Sequence, residues 1–240
     1  METSRLSDRG NALTDSTPLY FAVFDCDGTL VDSIHSIIEA MSMAWAAEGL
    51  GAPPTGHNVR SIVGLQLIEA IGRLYPEGAA WEHERLAQHY KDAFLEIRNR
   101  PDHDEPLFEG TREVINALDC AGVLLGIATG KSRRGLEATL ERHGLLDRFV
   151  SLKTSDDGPG KPNPTILLDA MRELGVESEN TVMIGDTIFD VTMAVNAKVT
   201  AIGVDWGYHE VSELRSAGAE TTLQSFHELE DSLRTIWGKL

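Results

Sequence analysis

Five short apolar runs stand out along the chain: Tyr20–Phe24, Val123–Ala128, Phe149–Leu152, Thr181–Ile184 and Thr200–Val204. Near-continuous apolar runs this short are the pattern of strands buried on both faces. Helical spacing fills most of the intervals. Residues 111–121 carry Val114, Leu118 and Ala121, and residues 132–143 carry Leu136 and Leu140 ahead of Gly144. Residues 164–174 begin behind Asn163 and Pro164 and stop at Gly175, a helix start and a helix stop. Strands alternating with helices predict an α/β fold: a Rossmann-like parallel sheet core with helices on both faces.

One connection breaks the alternation. Almost a hundred residues separate the first two runs, far more than a simple crossover needs. Residues 33–49, 58–75 and 81–98 repeat Met, Trp, Ile and Leu at helical intervals, with Gly51–Gly56 and Pro101–Pro106 as punctuation. This predicts an inserted all-helical cap over 33–105, above the carboxyl edge of the sheet. Residues 19–32 and 106–240 then form the α/β core. Residues 1–18 read as a flexible polar N-terminal tail without the apolar stretch of a secretory signal. Residues 208–240 read as two helices that finish the core.

Composition narrows the function. No apolar run approaches bilayer length. The net charge of −17 argues against nucleic acid and anionic membranes as partners. An anionic substrate would therefore need local positive charge from a metal or from a few placed Lys and Arg. Two cysteines, Cys26 and Cys120, make no disulfide framework, so a reduced, cytoplasmic protein is expected.

The candidate chemistry follows the strands. The first run ends in Asp25-Cys26-Asp27-Gly28-Thr29, the second in Thr129-Gly130-Lys131, and the fourth in Gly185-Asp186 with Asp190 beyond; Lys161-Pro162 lies in the loop after the third. Alternation places Asp25 and Asp27 on one face of an extended segment, with Cys26 pointing away as a small core residue. Two carboxylates at a buried strand end repel and are costly to desolvate, a cost that a hard cation such as Mg²⁺ removes. Ligands of open parallel sheets bind at the carboxyl ends of strands. Carboxylate, hydroxyl, amine and carboxylate at one such edge are the set that phosphoryl transfer through an aspartyl-phosphate requires.

These four motifs, in this order over residues 19–205, resemble the haloacid dehalogenase superfamily, in the branch with a helical cap that includes phosphoglycolate phosphatases. The resemblance implies a Mg²⁺-dependent phosphatase acting on a small phosphorylated metabolite. Asp25 would be the nucleophile. Asp27 would be the acid for the leaving alcohol and then the base for water, with its backbone carbonyl on the metal. Thr129 and the Gly130 amide would hold phosphoryl oxygens, and Lys161 would neutralise charge. Asp186 would bind Mg²⁺ with help from Asp190. The resemblance also extends to Arg60-Ser61-Ile62-Val63-Gly64, similar to a substrate-specificity loop in which Gly64 allows close approach and Arg60 contacts a second anionic group. The dehalogenase branch lacks an acid at the Asp27 position, because a halide needs no proton. Asp27 therefore favours ester hydrolysis.

Singly, each residue has a plainer reading: an Asp-Gly turn, Thr129 or Asp186 at a helix start, Asp190 as a first-turn acid, Lys161 and Arg60 as surface cations. His57, His83, His89, His103, His143, His209 and His227 show no metal-ligand spacing and read as surface or helix-end residues. Asp156 and Asp157 read as decoration on a solvated loop, and Met41 and Trp45 as cap core. Three alternatives share the pattern: a β-phosphoglucomutase-like phosphomutase, a receiver-type phospho-acceptor domain and a non-catalytic binding protein. Hinges are expected near Asp32-Ser33 and Glu105-Pro106-Leu107.

Overall fold

The computed structural model describes residues 18–238, so the tail expected over 1–18 lies outside the described residues except for Pro18. Six parallel strands form one sheet in the order β3-β2-β1-β4-β5-β6. They are β1 Phe21–Phe24, β2 Leu124–Ala128, β3 Ser151–Lys153, β4 Thr181–Gly185, β5 Thr200–Val204 and β6 Thr221–Leu223. The strand order reverses at β1, which pairs with β2 on one side and β4 on the other. Side chains of β1 alternate between the two faces. Ala22 and Phe24, with Cys26 beyond, join one apolar cluster, while Phe21 and Val23 join the other. Burial on both faces explains why the strand reads as an unbroken apolar run.

Helices cover both faces. α5 (Thr111–Cys120), α6 (Arg133–Arg142) and α10 (Leu229–Trp237) supply the first cluster, and α7 (Thr165–Leu174), α8 (Ile188–Asn196) and α9 (Val211–Ala217) the second. The starts of these helices follow local chemistry. The Ser132 hydroxyl accepts from the Gly135 amide to open α6, so Thr129 is not that helix's capping residue. Asn163 Oδ1 accepts from the Thr165 amide to open α7, and Gly175 closes it at φ +67°.

Four helices lie between β1 and α5: α1 (Ile34–Ala47), α2 (Gly56–Arg60), α3 (Leu67–Leu74) and α4 (Ala80–Arg98). They share an apolar cluster that includes Ile37, Met41, Trp45, Ile71 and Leu86. The two chain segments joining them to the sheet run side by side. The Asp32 amide donates to Pro106 O at 2.9 Å, and the Phe108 amide to Leu30 O at 3.0 Å.

Two elements differ from the sequence reading. The helix expected over 58–75 is broken, because residues 61–66 form a turn between α2 and α3 with Gly64 at φ +97°. The tail of the core is not two helices alone, because β6 forms between α9 and α10. Its three residues, Thr221-Thr222-Leu223, are half polar at the sheet edge and lack the apolar run that marks the other strands.

Phe24 is fully buried and meets Phe149 edge-on with ring centroids 6.5 Å apart. Phe24→Ala should cost about 3–5 kcal/mol, read as a lower denaturant midpoint at an unchanged slope. A loss below about 1 kcal/mol would show that β1 does not anchor this core.

Candidate active site

Four loops at the carboxyl ends of β1, β2, β3 and β4 meet where the sheet reverses, the position at which ligands bind in open α/β sheets. The β1 pairing extends one residue beyond the strand, since the Asp25 amide donates to Ile184 O at 2.9 Å. This fixes Asp25 beside the end of β4. Lys161, from the loop after β3, is fully buried. Its Nζ lies 2.8 Å from Asp25 Oδ1 and 2.5 Å from Asp190 Oδ1, ion pairs by distance. Asp190 divides its two oxygens. Oδ2 accepts from the amide and hydroxyl of Thr187 at 3.0 and 2.7 Å, closing the start of α8, and Oδ1 faces Lys161. Thr187, rather than Asp186, is the capping residue there. Asp186 is held by the Thr29 hydroxyl at 2.8 Å and the Tyr208 amide at 3.0 Å.

Asp25, Asp186 and Asp190 form a buried cluster whose oxygens lie within 4.8 Å of one another. Among the described residues, Lys161 is the one cation within hydrogen-bonding reach of them, which leaves two negative charges uncompensated if all four groups are ionised. Burial, helped by Asp190 and Asp27, pushes the Asp25 carboxyl up to about 6 against the pull of Lys161. Burial likewise raises Asp186, reinforced by Asp190 and Asp25. Burial alone would lower the Lys161 ammonium, but Asp190 and Asp25 overcome it and hold the group charged. All-oxygen donors, a charge deficit of two and an Asp25 Oδ2 without a hydrogen-bond donor fit a hard divalent cation.

Asp27 lines the same cavity as Asp25, but its carboxylate turns to different partners. Oδ1 accepts from Ser33 Oγ at 2.6 Å and from Lys131 Nζ at 2.7 Å. Burial would raise this carboxyl, yet Lys131, Ser33 and Arg98 hold it below its ordinary range. The shared face expected for the two acids therefore holds for the cavity and not for their partners. Cys26 is fully buried in the core, as alternation expects.

The cavity measures about 370 Å³ and lies between the sheet edge and the helical segment. Core residues Asp25, Asp27, Thr129, Gly130 and Lys131 face Met41, Val63, Tyr90, Phe94 and Arg98. The break between α2 and α3 supplies its rim. A Cβ on Gly130 would meet Gly64 O and Leu65 O at 2.7 Å, so that loop rests on the β2 loop. Gln66 fastens it, donating to Ser155 O and Gly158 O at 3.1 and 2.7 Å. Thr129 Oγ1 accepts from the Lys131 amide at 3.3 Å and stands at the cavity wall.

Several sequence expectations are corrected here. Arg60 is exposed and does not line the cavity, because α2 ends there with its buried face at Val59. The cationic cavity residues are instead Lys91, Arg98, Lys131 and Arg134. Asp156 and Asp157 are structural: Asp156 accepts from the Arg133 amide, and Asp157 from Thr154 and the Arg133 guanidinium. The His103 side chain is buried rather than exposed, with Nε2 3.6 Å from Glu105 Oε2. Met41 belongs to the apolar cluster of α1–α4 and also lines the cavity. Lys131, Ser33, Gln66 and Tyr208 carry contacts that no motif spacing signals, although Lys131 directly follows the Thr-Gly pair.

The model of the haloacid dehalogenase-like hydrolase family matches residues 22–204. A probable phosphatase IndB of Dickeya dadantii is 32% identical over 209 residues, covering 86% of this chain and 90% of the relative. A phosphoglycolate phosphatase of Agrobacterium fabrum is also 32% identical, over 79% of this chain and 82% of its own length. A crystallised hydrolase of Pseudomonas syringae superposes with a TM-score of 0.79 at 27% identity, covering 91% of this chain and 99% of that one. The chain belongs to the haloacid dehalogenase-like hydrolases.

The raised Asp25 carboxyl has a consequence for stability. A folded value near 6, above the ordinary 3.8, favours folding only while the group is protonated. That contribution is fully present below about 4 and is lost as pH rises through about 6. Metal-free protein should therefore gain thermal stability from Asp25→Asn at pH 8, since Lys161 keeps Asp190. Mg²⁺ should raise the melting temperature of the parent protein more than that of the variant. A metal-free variant less stable than its parent at pH 8 would contradict the charge deficit.

Proposed function

We propose that this hydrolase is a Mg²⁺-dependent phosphatase that cleaves a small phosphate monoester through an aspartyl-phosphate. The observation that carries the reading is the buried Asp25 carboxylate, held by Lys161 and opening onto a cavity that also contains Asp27. Asp25 attacks phosphorus; its Oδ–P bond forms as the ester P–O bond breaks, and the electron pair leaves with the alcohol oxygen. Asp27, which rests as a carboxylate beside Lys131, first takes up a proton from solvent and then gives it to that oxygen. In the second half a water attacks the phosphorus, Asp27 carboxylate takes the water's proton, and the Oδ–P bond to Asp25 breaks to release phosphate. Lys161 neutralises the transferring group, and the Thr129 hydroxyl and Gly130 amide donate to its oxygens. Asp25, the Asp27 carbonyl and Asp186, with Asp190 supporting, would hold Mg²⁺, which would supply further neutralisation of the phosphoryl oxygens.

The cavity's size and its cations support a small phosphorylated metabolite, and Lys91, Arg98 and Arg134 suit one bearing a second anionic group such as a carboxylate. The relative from Agrobacterium fabrum is named for such a substrate. Residues 33–105 act as a cap that opens for substrate and closes against bulk water, hinged on the paired segments at Asp32-Ser33 and Glu105-Leu107. A cytoplasmic setting is supported by two free cysteines, one buried and one exposed. No described helix is long and apolar enough to cross a membrane.

The test is a panel of phosphorylated metabolites assayed for phosphate release with Mg²⁺. Turnover should fall at least 10⁴-fold in Asp25→Asn with the circular dichroism unchanged, and chelation should abolish it. Undiminished activity in that variant would refute the nucleophile. Isomerised sugar phosphate without phosphate release would instead identify a mutase.

A further inference from the structure

Behind Asp27 lies a second buried charge system that the phosphatase reading leaves unused. Lys131 Nζ contacts Asp27 Oδ1 at 2.7 Å on one side and lies 4.0 Å from Glu105 Oε1 on the other. Glu105 is 1% exposed and does not line the cavity. Among the described residues its Oε1 has no hydrogen-bond donor and faces the Lys131 ammonium, while His103 Nε2 lies 3.6 Å from Oε2 on its other side. Burial alone would lower the Lys131 ammonium, but Asp27 and Glu105 together hold it charged. The Phe94 ring covers one side of the ammonium at 5.3 Å.

The place of Glu105 in the chain matters. It lies on the returning connection from the helical cap, and that connection is pinned to the core. His143 Nε2 bonds Glu105 O at 2.9 Å, Arg142 Nη1 donates to His103 O at 3.2 Å, and the Asp32 amide donates to Pro106 O at 2.9 Å. The carboxylate is thus set by the core side of the hinge. Lys131 is likewise fixed by the loop after β2. Asp27 is therefore held by Ser33 from the outgoing connection and, through Lys131, by Glu105 from the returning one.

We propose that Glu105 is a positioning residue, acting through Lys131 to hold the Asp27 carboxylate oriented for the second half of the reaction, in which it takes a proton from the attacking water. This rests on the aspartyl-phosphate reading above. The first half transfers the phosphoryl group from ester oxygen to Asp25, and with 4-nitrophenyl phosphate the leaving phenolate needs no proton. The second half is the same for every substrate and needs the oriented base. A fault in the Glu105–Lys131 pair therefore falls on the loss of phosphate from Asp25, not on its arrival.

The experiment is rapid-quench and stopped-flow kinetics with 4-nitrophenyl phosphate and Mg²⁺ on the full chain. Glu105→Gln should slow decay of the phosphorylated enzyme about tenfold and Lys131→Met about a hundredfold. In both, kcat and KM should fall together, kcat/KM should change far less, and a burst near one phenolate per enzyme should precede the slow phase. Lys131→Arg, which keeps the cation, should recover part of the decay rate. Equal losses in kcat and kcat/KM without accumulation of phosphoenzyme would show a merely structural or substrate-binding role and overturn the proposal. So would phosphoenzyme that decays at the parental rate in Glu105→Gln. A parent enzyme that hydrolyses the ester without ever carrying phosphate on Asp25 would instead overturn the covalent mechanism, and this proposal with it.

Discussion

The site depends on one buried cation. Lys161 has no exposed surface, and its ammonium sits between Asp25 and Asp190. Burying an ion costs several kcal/mol even after relaxation, and removing one partner of a buried pair leaves the other uncompensated. The same residue ties three segments together: the end of β1 through Asp25, the loop after β3 through its own backbone, and the start of α8 through Asp190. Asp190 can serve Lys161 only because its second oxygen already closes that helix start. The charge that faces Asp25 is thus built into the joints of the fold.

The sheet order explains why this joint lies beneath the cavity. With β1 at the reversal point, the loops after β1, β2 and β4 emerge together, and no helix crossing over the sheet lies between them. The long excursion to α1–α4 also leaves from β1, so the helical segment and Asp25 line one cavity. Its two connections pair at Val31 and Leu107, which makes the departure and the return a single seam. Ser33 and Glu105 lie one on each side of that seam, and both reach the Asp27 system.

What is legible in the chain follows from how each element is stabilised. Strands buried on both faces are written as apolar runs, so β1, β2, β4 and β5 are visible, whereas the three-residue, half-polar β6 is not. The residues after the strands are visible because acids, a threonine and a lysine at buried strand ends have few other uses. The helix over 58–75 keeps its apolar spacing, but the left-handed Gly64 and the Gln66 latch onto Ser155 and Gly158 are tertiary demands that override it. Arg60 illustrates the same limit: a motif resemblance marked the right loop, but the helix turned that side chain outward. Lys131 and Glu105 lie 26 residues apart in number and meet only because the return from the cap passes the β2 loop.

The division of labour between two acids separated by one residue has a physical origin in this arrangement. Like charges so close would share a proton if they faced one environment. Here the carboxylates are referred to different cations, Asp25 to Lys161 and Asp27 to Lys131, and each cation is backed by a further buried acid, Asp190 or Glu105. The two systems differ in outcome. Three acids around Lys161 leave a deficit that raises Asp25, whereas Lys131, Ser33 and Arg98 hold Asp27 below its ordinary range. A strand end that begins as two equivalent carboxylates is thereby split into one acid raised by a charge deficit and one lowered by a cation of its own.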